Sequence, residues 1–366
     1  MKFPKYFNLQ VYLILRFFIF IRMVNLLKIF FVFLSFSIYS QENNFIVGAT
    51  LNFHELNTQK SNLFLKDFTY LTPANAAKQT VVHPKPNTWN WTKIDEMIDF
   101  ANLHNLDLRI HGPIGPQSSK WIKDDSRTSD ELMLNLTEFM TKSCIKFSKE
   151  PSVKWMDVVN ETILPSGNWH GPRIGNSKWE NPWLKIGLDE NEFPIYILKS
   201  FEIATKLAPN ISLVFNQNAG FQPRLWDKLK KSIKYIRSKG HRVDGIGWQG
   251  HLLLSKSTYS FVNDLDKGIN DLSNLIDWAH ENDLDFHITE LDYFVEDKSN
   301  LNKDLLDQKM IYSRIINLLE NKSKNGLVTL NFWDMGERYK KGKGYFQSIY
   351  SKELKPNPSY KLLNNF

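Results

Sequence analysis

Residues 153–161 read VKWMDVVNE, an apolar run that ends in an amide and a carboxylate, Asn160 and Glu161. A run this rich in valine and aromatic residues is typical of a strand that is buried on both faces. The polar pair that follows it stands at the carboxyl end of that strand. The segment therefore predicts a parallel sheet whose strand ends carry a functional site.

Similar apolar runs occur along the whole chain, and helix-like amphipathic stretches separate most of them. Strands are predicted at residues 45–51, 68–71, 106–110, 153–159, 211–215, 243–248, 286–291 and 326–333. Helices are predicted at residues 91–103, 130–147, 194–207, 224–238, 272–281 and 303–319. Eight strands that alternate with helices favour a closed barrel over an open sheet. The predicted fold class is α/β, a (β/α)8 TIM barrel, with residues 41–366 as its single domain.

A barrel of this kind has its active site at the carboxyl ends of its strands, so polar residues at the ends of the apolar runs are the candidate functional residues. Any one of them alone would more often be a solvated strand end, and it is their joint placement that indicates a site. In chain order they are His111, Asn160, Glu161, Asn216, Gln249, His251, Glu290, Asp292 and Trp333. We expect all of them to face one rim of the barrel.

Two of these residues, Glu161 and Glu290, end strands on opposite sides of the predicted ring. Two carboxyl groups are the minimum for cleaving a glycosidic bond through an oxocarbenium-like transition state. One must be protonated beside the leaving oxygen, and the other must be ionised, as a nucleophile or as a base. A retaining pair stands roughly 5–5.5 Å apart.

His251 and Asp292 flank Glu290 from neighbouring strand ends. A histidine held by an aspartate is expected to hydrogen-bond Glu290, keep it ionised and fix its rotamer. Glu161 is then expected to be the protonated partner, with a raised pKa. The amide of Asn160 is placed to donate to a sugar 2-hydroxyl, an interaction that strengthens in the transition state.

The net charge of +7 is concentrated in the first 40 residues, which hold five Lys or Arg residues and no acidic residue. The remainder carries about +2 and shows no basic stripe with interleaved aromatic residues, so nucleic-acid binding is not expected. The apolar run 29–36 follows Lys28 and precedes small or polar residues, as in a signal peptide. We predict residues 1–40 as a targeting segment, with Met23 as a possible start. The protein is expected to be a secreted or periplasmic monomer without a stable membrane anchor.

Cys144 is the only cysteine, which excludes a disulfide within the chain. It lies at helical spacing with Leu136, Met140 and Phe147, so we predict that it is buried in the core. The aromatic share of 14%, with 11 Trp and 13 Tyr, fits rings that line a sugar site and equally fits a large core.

Three segments resemble glycoside hydrolase family 10, the family of endo-1,4-β-xylanases. Residues 155–161 (WMDVVNE) resemble its acid/base motif, residues 288–292 (ITELD) its nucleophile motif, and residues 244–251 (DGIGWQGH) its sixth strand. The resemblance runs in order from about residue 48 to residue 360. It implies retaining hydrolysis of internal bonds of xylan, with Glu161 as acid/base and Glu290 as nucleophile. It also implies that the chemistry needs no metal or organic cofactor.

The resemblance assigns further roles to individual positions. It makes His251 and Asp292 the support of the nucleophile. The substrate-binding residues that it implies are Asn75, Lys78, His111, Gln117, Asn160, Asn216, Gln249 and Trp333. The partner that it implies is a polysaccharide, xylan or a related β-glycan.

Several positions depart from the family pattern where the family binds sugar. Ala74 replaces a usual Glu, and residues 109–117 lack a Trp-His pair. Gln217 and Asn218 replace an Asp-Tyr pair. After Trp333, a Gly, an Asp and a second Trp are replaced by Asp334, Glu337 and Lys341, with Tyr339 or Tyr345 as candidate replacement rings.

These departures leave the catalytic residues in place and change the contacts to sugar, and binding and cleavage are separable. Two alternatives therefore stay open: an enzyme for a different β-linked polysaccharide or oligosaccharide, and a glycan-binding relative without turnover. A cytoplasmic barrel enzyme for phosphorylated metabolites is disfavoured, because no glycine-rich phosphate loop follows the seventh or eighth strand.

Overall fold

Eight parallel strands close into a barrel in the computed structural model, which describes residues 44–173, 179–252, 260–341 and 344–365. In chain order the strands are β1 (Phe45–Leu51), β2 (Tyr70–Pro73), β3 (Asp107–Ile110), β4 (Val153–Asn160), β5 (Ser212–Gln217), β6 (Gly245–Trp248), β7 (His251–Leu252), β8 (Asp285–Val295), β9 (Val328–Phe332), β10 (Arg338–Lys340) and β11 (Gly344–Gln347). The barrel consists of β1–β6, β8 and β9, and it closes because β9 pairs with both β8 and β1. The predicted (β/α)8 barrel is confirmed.

Helices follow most of the barrel strands and cover the outside of the ring. They are α1 (Gln59–Asp67), α2 (Gln79–Val82), α3 (Thr92–Leu103), α4 (Ser129–Phe147), α5 (Ile195–Leu207), α6 (Pro223–Ser238), α7 (Leu265–Glu281) and α8 (Leu301–Lys322). Short 3-10 helices span Phe53–Glu55, Pro182–Ile186 and Pro358–Asn365. The predicted targeting segment, residues 1–40, lies outside the described residues. Within them, no helix has the length and apolar character needed to cross a membrane.

The helix α4 shows how the local sequence sets an element. Thr128 accepts a hydrogen bond from the backbone N–H of Glu131 at 3.2 Å, and the Glu131 carboxylate accepts one from Thr128 N at 2.9 Å. This capping box satisfies donors that the first helical turn leaves unpaired. Cys144 lies on the buried face of α4, as predicted, and burial raises the pKa of its thiol to about 12.

The structure differs from the sequence prediction mainly in short elements. The sequence did not predict α1, because only Ser61 and Phe64 of this helix are buried and no periodic apolar signal results. It also placed the end of β8 at residue 291, whereas the strand continues to Val295. The extension exists because β7 and β11 pair with it above the barrel rim.

The barrel interior changes from apolar to polar along the strands. Tyr70, Trp155 and Val214 form a small buried apolar cluster. Two residues further along their strands, and hence on the same inward face, stand Thr72 and Asn216. Because side chains alternate between the two faces of β2 and β5, these polar residues face the same way as the apolar cluster. They form the floor of the candidate site.

Candidate active site

Glu161 directly follows β4 and adopts a φ of 53°, in the left-handed region that a residue other than glycine seldom adopts. Contacts on both sides hold it there. The Oε1 atom of Gln217 accepts hydrogen bonds from Thr162 N at 3.1 Å and Ile163 N at 3.2 Å. The Nδ1 atom of His170 lies 3.0 Å from the carbonyl oxygen of Glu161. These contacts direct the Glu161 side chain into the mouth of the barrel.

The carboxyl group of Glu161 is buried and bonded at both oxygens. Its Oε1 accepts from Gln249 Nε2 at 2.9 Å, and its Oε2 accepts from the indole nitrogen of Trp179 at 3.1 Å. Burial raises the pKa of Glu161, the hydrogen bond from Gln249 opposes this, and the negative charge of Glu290 adds to it. The net effect favours the protonated form, which a general acid requires.

Glu290, in β8, is equally buried but has the opposite electrostatic environment. Its Oε1 lies 3.4 Å from His111 Nε2, and its Oε2 lies 3.2 Å from His251 Nε2. Burial alone would raise the pKa of Glu290, but attraction to His111 and the hydrogen bond from His251 outweigh it. The resulting pKa is lowered to about 2, so this carboxyl is ionised at any pH at which the enzyme would work.

Each of these histidines is held by an aspartate at its other ring nitrogen. His111 Nδ1 lies 2.8 Å from Asp157 Oδ2, and His251 Nδ1 lies 2.8 Å from Asp292 Oδ1. Burial acts to lower the pKa of His251, but Asp292 and then Glu290 raise it to about 10. His251 is therefore a cation that donates to both carboxylates.

Two arginines complete these chains of contacts. Arg109 is fully buried, forms an ion pair with Asp157 and donates from Nε to the hydroxyl of Tyr70 at 2.6 Å. Arg338, in β10, donates from Nη2 to Asp292 at 2.6 Å. An arginine, an aspartate and a histidine thus approach Glu290 from each side, which fixes both the position and the charge of its carboxylate.

Three amides fill the space between the two carboxyl groups. The Asn160 Oδ1 atom accepts from Gln249 Nε2 at 3.2 Å and from Asn216 Nδ2 at 3.0 Å. Asn216 Nδ2 also lies 3.5 Å from Glu290 Oε1. The amides therefore form a continuous path of polar contacts from Glu161 to Glu290.

Gly247, in β6, makes room for this path. A Cβ atom at this position would lie 2.3 Å from the Oδ1 atom of Asn216, closer than real Cβ contacts occur. That oxygen accepts a hydrogen bond from Thr289 at 2.9 Å, which fixes the orientation of the amide. A larger residue at position 247 would displace Asn216 from Glu290.

Lys78 and Trp333 border the same cluster. The Lys78 ammonium is buried, and burial lowers its pKa while Glu290 and Glu161 oppose the effect. Its Nζ lies 5.7 Å from the centroid of the Trp333 ring. That ring meets the His111 ring edge-on, with 5.1 Å between centroids. A cation and an aromatic face thus stand beside the carboxylates.

Two predicted residues lie further out. Asn75 is exposed beyond the end of β2, and Gln117 is half-buried in the loop after β3. Their predicted contact with sugar stays a prediction. Tyr339 and Tyr345 stand opposite each other on β10 and β11, with ring centroids 5.0 Å apart. Their role as replacement rings for the family's second Trp stays a prediction.

Two departures from the family pattern, at Gln217 and Asp334, have structural explanations. The Gln217 side chain is bonded to backbone atoms after Glu161 and does not face the cleft. Asp334 has a φ of 68°, where the family pattern has a glycine, and forms an ion pair with Lys60. Lys60 also pairs with Glu55 at 2.6 Å. One cation therefore bridges two carboxylates directly behind the loop that carries Trp333.

A cavity of about 380 Å³ opens next to Glu161, on the side facing the loops after β4, β5 and β6. Leu164, Trp179, Trp248 and Phe261 make its wall largely apolar. His170 is buried at its edge, and the Nε2 atom of that ring has no partner among the described residues. His251 also lines the cavity, which therefore borders both Glu161 and one of the two histidines that contact Glu290.

Sequence reasoning assigned no role to several residues of this site. Asp157 left a signal, since an acidic residue within an apolar strand calls for a buried partner. His170, Trp179 and Arg338 left none, because each belongs to a loop or a hairpin whose path depends on the whole barrel. Among the described residues, no group of His, Cys, Asp and Glu side chains has an arrangement that could hold a metal ion.

Comparison with known proteins gives one family and a consistent set of relatives. The family model described as glycosyl hydrolase family 10 matches residues 37–365. A β-1,4-xylanase of Dictyoglomus thermophilum is 28% identical over 305 residues, which cover 81% of this chain and 78% of that protein. An endo-1,4-beta-xylanase B of Paenibacillus barcinonensis is 24% identical over 340 residues, which cover 88% of this chain and 95% of that protein.

Solved structures show the same fold. Xylanase 10B from Thermotoga petrophila in complex with xylobiose matches with a TM-score of 0.74 at 22% identity, over 89% of this chain and 94% of that chain. A glycoside hydrolase family 10 structure from Paenibacillus barcinonensis matches with a TM-score of 0.75 at 20% identity, over 88% and 95%. At these identities the likeness establishes the barrel architecture.

Proposed function

The chain belongs to glycosyl hydrolase family 10 and is a glycoside hydrolase, and from this premise we propose that it cleaves internal β-1,4-xylosidic bonds of xylan with retention of configuration. The observation that carries the proposal is the opposite electrostatic environment of two buried carboxyl groups. Burial raises the pKa of Glu161, whereas His111 and His251 lower the pKa of Glu290 to about 2. An acid and an ionised nucleophile are the pair that double displacement requires.

In the first step, Glu161 donates its proton to the glycosidic oxygen while a carboxylate oxygen of Glu290 attacks the anomeric carbon. The bond from that carbon to the leaving sugar breaks, and a glycosyl ester of Glu290 forms. In the second step, the Glu161 carboxylate takes a proton from water, and the resulting oxygen attacks the anomeric carbon. The ester bond breaks, Glu290 is released as a carboxylate, and Glu161 is again protonated.

The histidines support both steps by their contacts with Glu290. His251 donates to the carboxylate that attacks, and it stabilises the same carboxylate when it leaves in the second step. Asp292 keeps His251 charged and oriented. The amides of Asn160, Asn216 and Gln249 are placed to bind the hydroxyl groups of the sugar whose bond is cleaved, and Lys78 and Trp333 to bind the same sugar or the next one.

Xylan is favoured as the substrate because the relatives named above are described as β-1,4-xylanases. A second candidate, another β-linked glycan, is favoured by the residues around Trp333. The ion cluster of Lys60, Glu55 and Asp334 adds charges close to that ring, and Ala74 lacks the carboxylate that the family pattern has at its position. We further propose that residues 1–40 direct the protein out of the cytoplasm, and that it acts as a monomer.

The test is release of reducing ends from a panel of β-linked polysaccharides, including xylan, by the purified protein and its Glu290→Ala and Glu161→Ala variants. Cleavage of xylan by the wild type and by neither variant supports the proposal. Proton NMR of the first product should then show the β-anomer. If the wild type cleaves another glycan but not xylan, and the Glu290→Ala variant does not cleave that glycan, the second candidate is supported. If the Glu290→Ala variant still cleaves the glycan that the wild type cleaves, the mechanism is refuted.

A further inference from the structure

The chain after β4 returns to Glu161 at two points, once through His170 and once through Trp179. His170 Nδ1 lies 3.0 Å from the carbonyl oxygen of Glu161, and the indole nitrogen of Trp179 donates to its Oε2 at 3.1 Å. The backbone and the carboxyl group of one residue are therefore both held by the segment that follows it. The second contact is the more informative, because it is made to the atoms that would transfer the proton.

The backbone beside Trp179 is held by the residues that follow it, while Trp179 itself is 42% exposed. The carboxylate of Glu180 accepts a hydrogen bond from Arg173 N at 2.8 Å, and Asn181 N donates to Gly171 O at 3.2 Å. Asn181 also donates from its side chain to the hydroxyl of Tyr196 in α5, at 3.1 Å. Glu180 and Asn181 are both buried, so the backbone that carries Trp179 is tied to the barrel immediately after the ring.

The chemistry of an indole restricts what this contact can be. An indole N–H donates and cannot accept, so Trp179 binds a lone pair of Oε2 whether Glu161 is protonated or ionised. Gln249 binds Oε1 in the same way. With one donor on each oxygen, the carboxyl plane is fixed in both protonation states that the proposed two-step reaction needs.

We propose that Trp179 is a positioning residue for Glu161, whose indole N–H fixes the carboxyl group and stabilises its ionised form. The inference rests on the proposed function, since it assigns Glu161 the role of acid/base. Trp179 lines the cavity beside Glu161, so it acts from the side on which the leaving sugar is protonated. Replacement of Trp179 should therefore affect most strongly the cleavage of substrates whose leaving group must be protonated.

The test compares Trp179→Phe, which removes the N–H and keeps an aromatic ring, with the matched control Trp169→Phe. The Trp169 indole donates to the backbone of Glu192 at 3.3 Å, away from Glu161. With xylotetraose, whose leaving group needs protonation, Trp179→Phe should lower kcat/KM about tenfold. With dinitrophenyl β-xylobioside, whose leaving group needs none, it should change kcat/KM by about twofold at most. Trp169→Phe should change kcat/KM by the same factor with both substrates.

A second measurement does not depend on turnover. The pKa of Glu161 can be followed by carbon NMR of protein labelled at the glutamate carboxyl carbons, with Glu161→Gln to identify the signal. Loss of a donor to the carboxylate disfavours the charged form, so Trp179→Phe should raise this pKa and Trp169→Phe should not. Unchanged titration, or an equal loss of kcat/KM on both substrates, would overturn the proposal. If the wild type cleaves neither substrate, the proposed function fails, whereas the titration still decides the role of Trp179.

Discussion

The Nε2 atom of His251 lies 3.2 Å from a carboxylate oxygen of Glu290. Glu290 is almost completely buried, and burial by itself favours its protonated form. A protonated Glu290 could not attack an anomeric carbon. The contact with His251 is therefore a condition for the proposed chemistry, and its removal is the most direct test of the electrostatic argument.

We predict that His251→Gln lowers kcat/KM by roughly 10- to 100-fold and moves the acidic limb of its pH profile to higher pH. Glutamine can still donate a hydrogen bond but carries no charge, so the pKa of Glu290 rises. The measurement is kcat/KM for xylotetraose as a function of pH. His104→Gln is the control, since His104 is exposed at the end of α3. An acidic limb that does not move would show that His251 has no electrostatic role.

The pH range of activity follows from the same two carboxyl groups. Glu290 is ionised above a pKa of about 2, and Glu161 is protonated below a pKa that burial raises above its ordinary value of 4.5. The kcat/KM of the wild type should therefore fall at high pH as Glu161 ionises, and Glu161→Gln should abolish this basic limb together with most of the activity on xylotetraose. An alkaline decline that persists in the residual activity of Glu161→Gln would assign that limb to another group.

Most residues of the candidate site could be predicted from the sequence, and a few could not. Glu161, Asn216 and Glu290 could be placed because an apolar strand followed by a polar residue is a local pattern, and the barrel brings all strand ends to one rim. Trp179 could not be placed, since its contact with Glu161 depends on how a loop is tied to α5. Arg338 could not be placed either, because it reaches Asp292 only through the pairing of β11 with β8.

The raised pKa of Glu161 also predicts an effect on the stability of the folded protein. The pKa of Glu161 is raised in the folded protein above its unfolded value, so ionisation opposes folding once the pH exceeds the unfolded pKa. Glu161→Gln should therefore raise Tm at pH 7 by about 2 °C and should have little effect at pH 3, where the wild type is already protonated. Calorimetry at both pH values measures this. A larger gain at pH 3 than at pH 7 would contradict the assigned direction of the pKa shift.

The ion cluster behind Trp333 gives the last prediction. Lys60 forms ion pairs with both Glu55 and Asp334, and all three side chains are largely shielded from water. Lys60→Met would leave two buried carboxylates without a cation, which should lower the free energy of unfolding by on the order of 3 kcal/mol at pH 7. Urea denaturation measures the change.

The control for this variant is Lys303→Met, which removes an exposed ion pair with Asp307 on α8 and should leave stability unchanged. Adding Asp334→Asn to Lys60→Met should recover part of the loss, because it removes one of the unpaired charges. Asp334 lies next to Trp333, so Lys60→Met should also raise KM for xylotetraose more than it lowers kcat, as expected when binding is disturbed and the carboxylates are not. Equal stability of Lys60→Met and wild type would show that water reaches this cluster and screens its charges. In that case Lys60 would not hold the loop that carries Trp333, and the replacement of the family's glycine by Asp334 would have to be explained by substrate contact instead.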